Sequence, residues 1–482
     1  MKTRAVICLI FLTGCLSMSD REKKEHLAEA PSLEKSRIEG INSDLFTEGD
    51  WPDKNWWNTF ESPILTAWIE EALAKNPNLK AVETHINQAK EMAIVARQPL
   101  FPTLYFNSDD NYTYLSENGF THLLNPTLPL NGFEVDLSLA FNYEFDFWNQ
   151  NRNTFRAALG ELKAIEAEFH EAQLILSTSL AQAYFAILTT DLKKQLYERL
   201  VEVRTRRLSL QEKLLNSALV SALPPLINDE QVKEAKQMLL SMKDEVAIQS
   251  HLINVLMGKG PDEQLTLDNL PKTPPKSIPL PENLSIELLA RRPDLMVQIW
   301  KAEALSFEVS VAKAEFFPNI NLMAFAGIKS LAWNSLFRAN SKTFGYRPAL
   351  SLPIFTAGSI RANLRAKKAE FEQAIYQYNN LLLVSAQEVA DMITQVQTVY
   401  DQKQLQEGVV LDAKARLDLT VARVNSGLDS QFAYLDYEET FIEKKIREVD
   451  YTYLQYAYLI KLIKSLGGGY NVSRVPITSE ET

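Results

Sequence analysis

Residues 425–469, NSGLDSQFAYLDYEETFIEKKIREVDYTYLQYAYLIKLIKSLGGG, form the stretch around which the rest of the chain is organised. Ile442, Ile446, Val449, Tyr453, Tyr456, Ile460 and Ile463 recur at alternating steps of four and three. That 3.5-residue period commits a helix to a left-handed coiled-coil seam, which needs a partner. The chain offers an earlier twin. Asn216, Ser217, Leu219 and Ser221 answer Asn425, Ser426, Leu428 and Ser430, and Met257-Gly258-Lys259-Gly260 answers Leu466-Gly467-Gly468-Gly469, both at an offset of 209. Upstream the offset is 216, where Asn76-Pro77-Asn78-Leu79 answers Arg292-Pro293-Asp294-Leu295 and Leu100-Phe101-Pro102 answers Phe316-Phe317-Pro318. Arg152 against Arg361 returns to 209, so a loop of different length falls between Pro102 and Arg152. An offset that survives across turns, prolines and glycines marks two copies of one architectural unit.

Lys2 and Arg4 precede an apolar run from Ala5 to Leu12, followed by Leu12-Thr13-Gly14-Cys15. A bilayer needs about 20 apolar residues, so residues 1–14 read as an export signal and not an anchor. The small pair before Cys15 looks like a lipobox, the cleavage and acylation site of bacterial lipoproteins, which makes Cys15 the expected lipidation site. With Leu16 after it, the rule that Asp there retains a lipoprotein in the inner membrane does not apply, and outer-membrane delivery is expected. Cys8 leaves with the signal, and one remaining cysteine excludes an intramolecular disulfide. The net charge of −11 becomes −13 once Lys2 and Arg4 are removed, which disfavours nucleic acid as a partner. Residues 15–50 are polar without a sustained period and read as a lipidated tether, able to wrap the body but with no core of its own.

The first repeat spans 51–260 and the second 282–470, with a Pro-rich linker at 261–281 and a loose tail at 471–482. Ser62-Pro63 and Asn76-Pro77 each open a helix, the second running to about Gln98, and Arg292-Pro293 opens its counterpart. Aromatic, alternating segments follow the next prolines: Thr103–Leu115 with Phe133–Phe147, then Asn319–Trp333 with Thr343–Phe355. Between Phe133 and Phe147 the odd positions Val135, Leu137, Leu139, Phe141, Tyr143, Phe145 and Phe147 are apolar. Glu134, Asp136, Ser138, Asn142, Glu144 and Asp146 occupy the other face. Such a strand suits a barrel with lipid outside and water inside, and Tyr143, Phe147 and Trp148 suit an interfacial girdle. A soluble sheet packed on a helix is the alternative. Four strands cannot enclose water, so a barrel must be assembled from several chains, and three chains give 12 strands. Asn149–Leu215 and Ser359–Arg423 carry unbroken helical periods, and some 65 residues give roughly 100 Å of rod. The rods turn back at 216–225 and 425–431, and their return helices end at Gly258 and Gly467.

Several dispersed motifs, in the right order from Trp51 to Tyr470, resemble one known family. They are Trp56-Trp57-x-x-Phe60-x-x-Pro63, Asn76-Pro77-Asn78-Leu79, the Phe-Pro pairs, Tyr143-Glu144-Phe145-Asp146-Phe147, Ala290-Arg291-Arg292-Pro293-Asp294-Leu295, Pro353-Ile354-Phe355-x-x-Gly358-x-Ile360-Arg361 and Leu466-Gly467-Gly468-Gly469-Tyr470. Together they look like the outer-membrane factors, the TolC-like efflux proteins, in their lipoprotein branch of the OprM type. The resemblance implies a mainly α fold with a membrane β part. Its homotrimer would carry a 12-stranded barrel in outer-membrane lipid, continued by a periplasmic coiled-coil tube. A periplasmic adaptor and an inner-membrane pump would dock at the tip, making the chain the exit channel of an efflux or export system. At Asn149-Gln150-Asn151-Arg152 the sequence departs from the family's usual Gly-Arg-x-Arg, while the second copy keeps Gly358 and Arg361.

A channel needs a constriction, and in this family the second periplasmic tip supplies an apolar and an acidic ring. The matching positions are Phe432 and Asp436. Asp429 precedes Asp436 by seven residues, two helical turns, so both carboxylates can share a face. Threefold symmetry would focus their negative potential on the axis. Asp429 as a helix N-cap and Asp436 as a solvated surface charge are the plainer readings. The first copy has Val220, Leu223 and Ile227 in their places. Tyr434, Tyr437 and Asp418 are further candidates for bonds at the tip. His26, His85, His122, His170 and His251 are scattered, with no metal-binding spacing, nucleophile elbow or phosphate loop, so no enzyme, cofactor or metal is expected. A structural coiled-coil envelope lipoprotein without transport is the other class; it would need the rods and the acyl group but not the amphipathic strands.

Overall fold

A computed structural model describes residues 26–42, 45–127, 129–267, 277–282, 284 and 291–471. The expected signal peptide, Cys15, much of the linker and the tail beyond residue 471 lie outside the described residues. In order, the elements are α1 (Glu34–Ile41), β1 (Phe46–Glu48), α2 (Pro63–Lys75), α3 (Pro77–Arg97), β2 (Thr103–Tyr114), α4 (Phe120–Leu124), β3 (Asn131–Phe145), α5 (Gln150–Asn216), α6 (Leu223–Leu256), β4 (Ile278–Leu280), α7 (Pro293–Ala314), β5 (Asn319–Ser330), β6 (Lys342–Ser351), α8 (Ser359–Asn425) and α9 (Gln431–Ser465).

The rods α5 and α8 are 67 residues each, roughly 100 Å at 1.5 Å per residue. The hub is α5, which packs along α6, α7, α9, α3 and α2, whereas α8 packs on α9, α7 and α1. The seam of α9 is thus answered mainly by the two rods and not by its twin α6. Four long helices carry the same period, so the sequence requires a partner without saying which. The middle of α5 is buried on nearly every side from Leu176 to Thr190. There Phe185 stacks on Tyr456 at 3.9 Å, and Tyr184 meets the Trp68 ring edge-on at 5.5 Å. Trp56, Trp57, Phe60, Leu65, Ile69, Val389, Ile393 and Ile460 complete this core. It fixes the rods midway between strands and tips.

The four long strands form one antiparallel sheet in the order β2-β3-β5-β6. Its register sorts the two faces. Leu104, Phe106, Leu139, Phe141, Leu322, Phe344, Tyr346 and Leu350 fall on one side, and Thr103, Asn107, Asp109, Asp136, Ser138, Asn142, Asn321, Lys329 and Arg347 on the other. Among the described residues no long helix covers either face. At its base Tyr143 meets Phe145 edge-on and Phe145 stacks on Phe147, while Trp148 lies on Phe317 at 4.6 Å and donates to the Pro318 carbonyl at 2.8 Å.

Left-handed backbone closes the helices at matched places. Asn149 and Gly358 precede the rods, Ala218 and Gly427 turn them, and Gly258 and Gly467 end the return helices, each pair 209 residues apart. Asparagine is the non-glycine residue best suited to this region, so Asn149 (φ 58°) keeps the bend that Gly358 (φ 86°) makes in the second copy. Asp146 accepts the Asn151 and Arg152 amides at 3.1 and 2.9 Å, capping α5 rather than facing the sheet's polar side. Asn76 donates to the Leu256 carbonyl at 2.9 Å, and Arg292 to the Ser465 carbonyl at 3.2 Å, again at positions 209 apart on the return helices.

The N-terminal segment wraps the body and also adds side chains to its core. From residue 26 it lies on the body: Ala28 N–H donates to Asn379 Oδ1 at 2.7 Å, β1 pairs in parallel with β4, and Leu33, Leu45 and Phe46 are buried in the central core. Its apolar residues are too widely spaced among charges to show a period, which is why the segment reads as a tether.

Candidate functional site at the helix tips

The tips lie where α5 turns into α6 and α8 into α9. Ser430 is the N-cap of α9, its hydroxyl accepting the Ala433 amide at 3.2 Å, so Asp429 lies outside the helix and is not its cap. Asp429 instead receives a two-pronged contact from Arg423 at the end of α8, Nε to Oδ2 at 2.6 Å and Nη2 to Oδ1 at 3.0 Å. Hydrogen bonds from that guanidinium hold the Asp429 carboxyl below its usual range. Asp436, on the first turns of α9, is held by Arg207 of α5. The two carboxylates therefore answer to different helices, and a shared helical face does not describe them.

Arg207 is one rung of a ladder joining α5 to α9. Lys193 pairs with Asp450 at 3.0 Å, Arg199 Nε with Glu438 at 3.0 Å, Arg204 with Glu439 at 2.7 Å, and Arg207 with Asp436 and with Glu439 at 3.0 Å. Arg204 also donates to the Gln231 carbonyl at 2.9 Å, tying α6 to the same rung. Between the rungs Leu200, Val203, Ala235, Leu435 and Ile442 form a small apolar core. Arg204 and Glu439 keep only 14% and 12% of their side-chain surface, whereas Asp436 keeps 63%. Pairing in the less exposed rung is the stronger constraint, since solvent screens the outer one.

Phe432 is half-buried at the same tip. Tyr434 lies under the Arg206 guanidinium at 6.0 Å and packs against the apolar core, while Tyr437 is part-exposed and Asp418 pairs with Lys414 at 2.7 Å one turn away. The first tip is of another kind: Leu219, Leu223, Leu226 and Ile227 all face solvent. The arginines at 199, 204 and 207 are the residues that sequence reasoning missed. Their signal is a basic run on a rod opposite the acidic run Asp436, Glu438, Glu439 and Glu443, and it becomes visible only once α5 and α9 are known to be antiparallel neighbours. Among the described residues no group of three or more His, Cys, Asp or Glu side chains is placed to hold a metal. What the tip offers chemically is reversible charge pairing between helices.

The chain was compared with known proteins on sequence and on fold. The family model described as outer membrane efflux protein matches residues 68–259 and 284–468. The multidrug resistance outer membrane protein MdtQ of Escherichia coli O6:H1 is 28% identical over 479 residues, covering 97% of this chain and 98% of its own. MdtP, a multidrug resistance outer membrane protein of Escherichia coli K12, is 25% identical over 484 residues, covering 98% of each. Among solved structures, the outer membrane protein VceC of Vibrio cholerae superposes with a TM-score of 0.77 at 28% identity, over 87% of this chain and all of that one. The outer-membrane channel OprN shares the fold with a TM-score of 0.82 at 22% identity, over 93% and 98%. On this evidence the chain belongs to the outer membrane efflux protein family and is a channel component, not an enzyme.

Proposed function

We propose that three copies of this chain close a 12-stranded barrel in the outer membrane and continue inward as a helical tube, through which solutes handed over by an adaptor and an inner-membrane pump leave the cell. The observation that carries this reading is the sheet. It has a mainly polar and a mainly apolar face, the latter interrupted by Ser108, Asp110 and Lys342 in its outer rows, no long helix over either among the described residues, and two edge strands, β2 and β6, each with one side unpaired. A membrane strand needs about 9–11 residues, and these have 12, 15, 12 and 10. Open edges do not persist in hydrocarbon, so β6 of one chain must pair with β2 of the next. Twelve strands 4.8 Å apart and tilted by 40° give a backbone bore of about 24 Å, wide enough for water.

The repeat reading is supported by the three pairs of left-handed residues at the 209 offset. Asp429, Phe432 and Asp436 remain the proposed gate, with the α5–α9 ladder keeping each α9 against its own α5 in the closed state. Cys15 as lipid anchor agrees with the docking of Ala28 on Asn379. That point is some 20 residues, about 30 Å, along α8 from the strands, and 13 extended residues reach up to about 45 Å.

The test is native mass spectrometry of detergent-extracted protein together with heat-modifiability on gels. Three copies and a heat-sensitive band are expected. A monomer whose aromatic strands are shielded from detergent would overturn the barrel, and would favour the structural-lipoprotein alternative. For Cys15, globomycin is expected to accumulate an unprocessed precursor; normal processing would remove the anchor.

A further inference from the structure

One row of the sheet is out of keeping with its face. From the helical side outward, the polar face carries Thr103–Asn142–Met323–Arg347, then Tyr105–Ala140–Phe325–Gly345, then Asn107–Ser138–Gly327–Thr343, then Asp109–Asp136–Lys329. The second row places two aromatic rings among side chains that bind water. Tyr105 and Phe325 are 56% and 46% exposed, with Met323 beside them. A Cβ on Gly345 would stand 2.7 Å from Phe325 Cε1 and 2.9 Å from Cζ. The Phe325 ring therefore lies over the bare backbone of β6, as aromatic residues do when they shield a strand glycine, with much of its surface left open. Ring surface facing water is unfavourable unless something apolar visits it.

Charge says what would visit. Two rows further out, Lys329 lies 2.7 Å from Glu134 and 3.9 Å from Asp136, with Asp109 in the same row. Three carboxylates against one ammonium leave an excess of negative charge on the outer side of the rings. Aromatic faces attract cations, while Arg347, one row inward, repels them.

We infer that the Tyr105–Phe325 row is a binding station for ring-bearing organic cations on their way out. The inference rests on the reading of the polar face as the water-lined wall of a shared barrel. Three chains would place three such stations at one height around the bore, along the wall rather than across it.

The test uses the purified trimer and two monovalent probes, tetraphenylphosphonium and the ring-free tetrabutylammonium. Phe325→Leu keeps an apolar cover over Gly345 but removes the aromatic face, and Tyr105→Leu is the second variant. Each is expected to weaken tetraphenylphosphonium binding about five- to tenfold in equilibrium dialysis. Tetrabutylammonium binding is expected to change less than about twofold. Unchanged tetraphenylphosphonium affinity in both variants, or a wild type that binds the two probes alike or neither, overturns the station. Wild-type current in planar bilayers separates the two levels. A conducting channel with unaltered affinities removes only the station, and a protein without current removes the lumen and the station with it.

Discussion

Arg207 and Asp436 meet across two helices that are 229 residues apart in sequence, and this contact gives the proposed gate its physical content. Asp436→Asn is expected to lower cation preference or raise open-state conductance in planar bilayers, and Arg207→Ala to raise conductance as well. The double variant should do little more than Arg207→Ala alone, because that change already removes the bond to Asp436 along with the one to Glu439; strictly additive effects would show that Arg207 and Asp436 do not act as a unit. Glu439→Gln reaches the inner rung. Leaving Arg204 less than fully paired there should cost up to about 3 kcal/mol of stability, read as a lower unfolding midpoint. Glu171 behaves in the opposite sense. Burial, then Asp294 and Glu168, raise its pKa above the ordinary 4.5, against the pull of Arg292 and Lys464. A carboxyl with a raised folded pKa costs stability while ionised, and the cost fades as pH falls through that raised value. Glu171→Gln should therefore stabilise the protein at pH 7 and lose that advantage below about pH 4.5; an equal gain at both pH values would show that burial of the charge is not the cause. That Phe432 and Asp436 stand just after a helical turn was legible from the sequence of residues 425–431. The arginines were not, because a linear sequence does not say which helix lies opposite.

At the scale of elements, the recurring left-handed residues show how much a repeat can vary while its geometry is kept. Ala218 (φ 57°) stands where the second copy has Gly427 (φ 71°), and a side chain in that region is strained. Ala218→Gly is expected to stabilise the first turn by about 1 kcal/mol and Gly427→Ala to destabilise the second by about as much, both read from thermal unfolding. Equal and negligible shifts would mean that the turns are held by their neighbours alone. Helix starts at Ser62-Pro63 and Asn76-Pro77 lie where the sequence places them, because cap and proline chemistry is local. Strand ends shifted by a few residues: Ile354 and Phe355 read as strand yet lie beyond β6, 91% and 88% exposed, after Pro353. Partners of α9 and the particular contacts of Ala28, Leu33 and Phe46 were not legible, since both depend on tertiary contacts that no local period encodes.

At the scale of the molecule, the long helices bury their core within one chain, while among the described residues the sheet is left with two open faces and two open edges. That asymmetry is what the proposed assembly would resolve, in which each chain folds as a protomer and completes a channel with copies of itself. The most direct test places single cysteines on neighbouring positions of β3, Ser138→Cys on the polar face and Leu139→Cys on the apolar one, in trimers carrying current across a planar bilayer. A water-borne cationic thiol reagent should change the current through Ser138→Cys channels and leave Leu139→Cys channels unaltered. Equal modification at both positions, or at neither in channels that conduct, would contradict a lumen lined by the polar face.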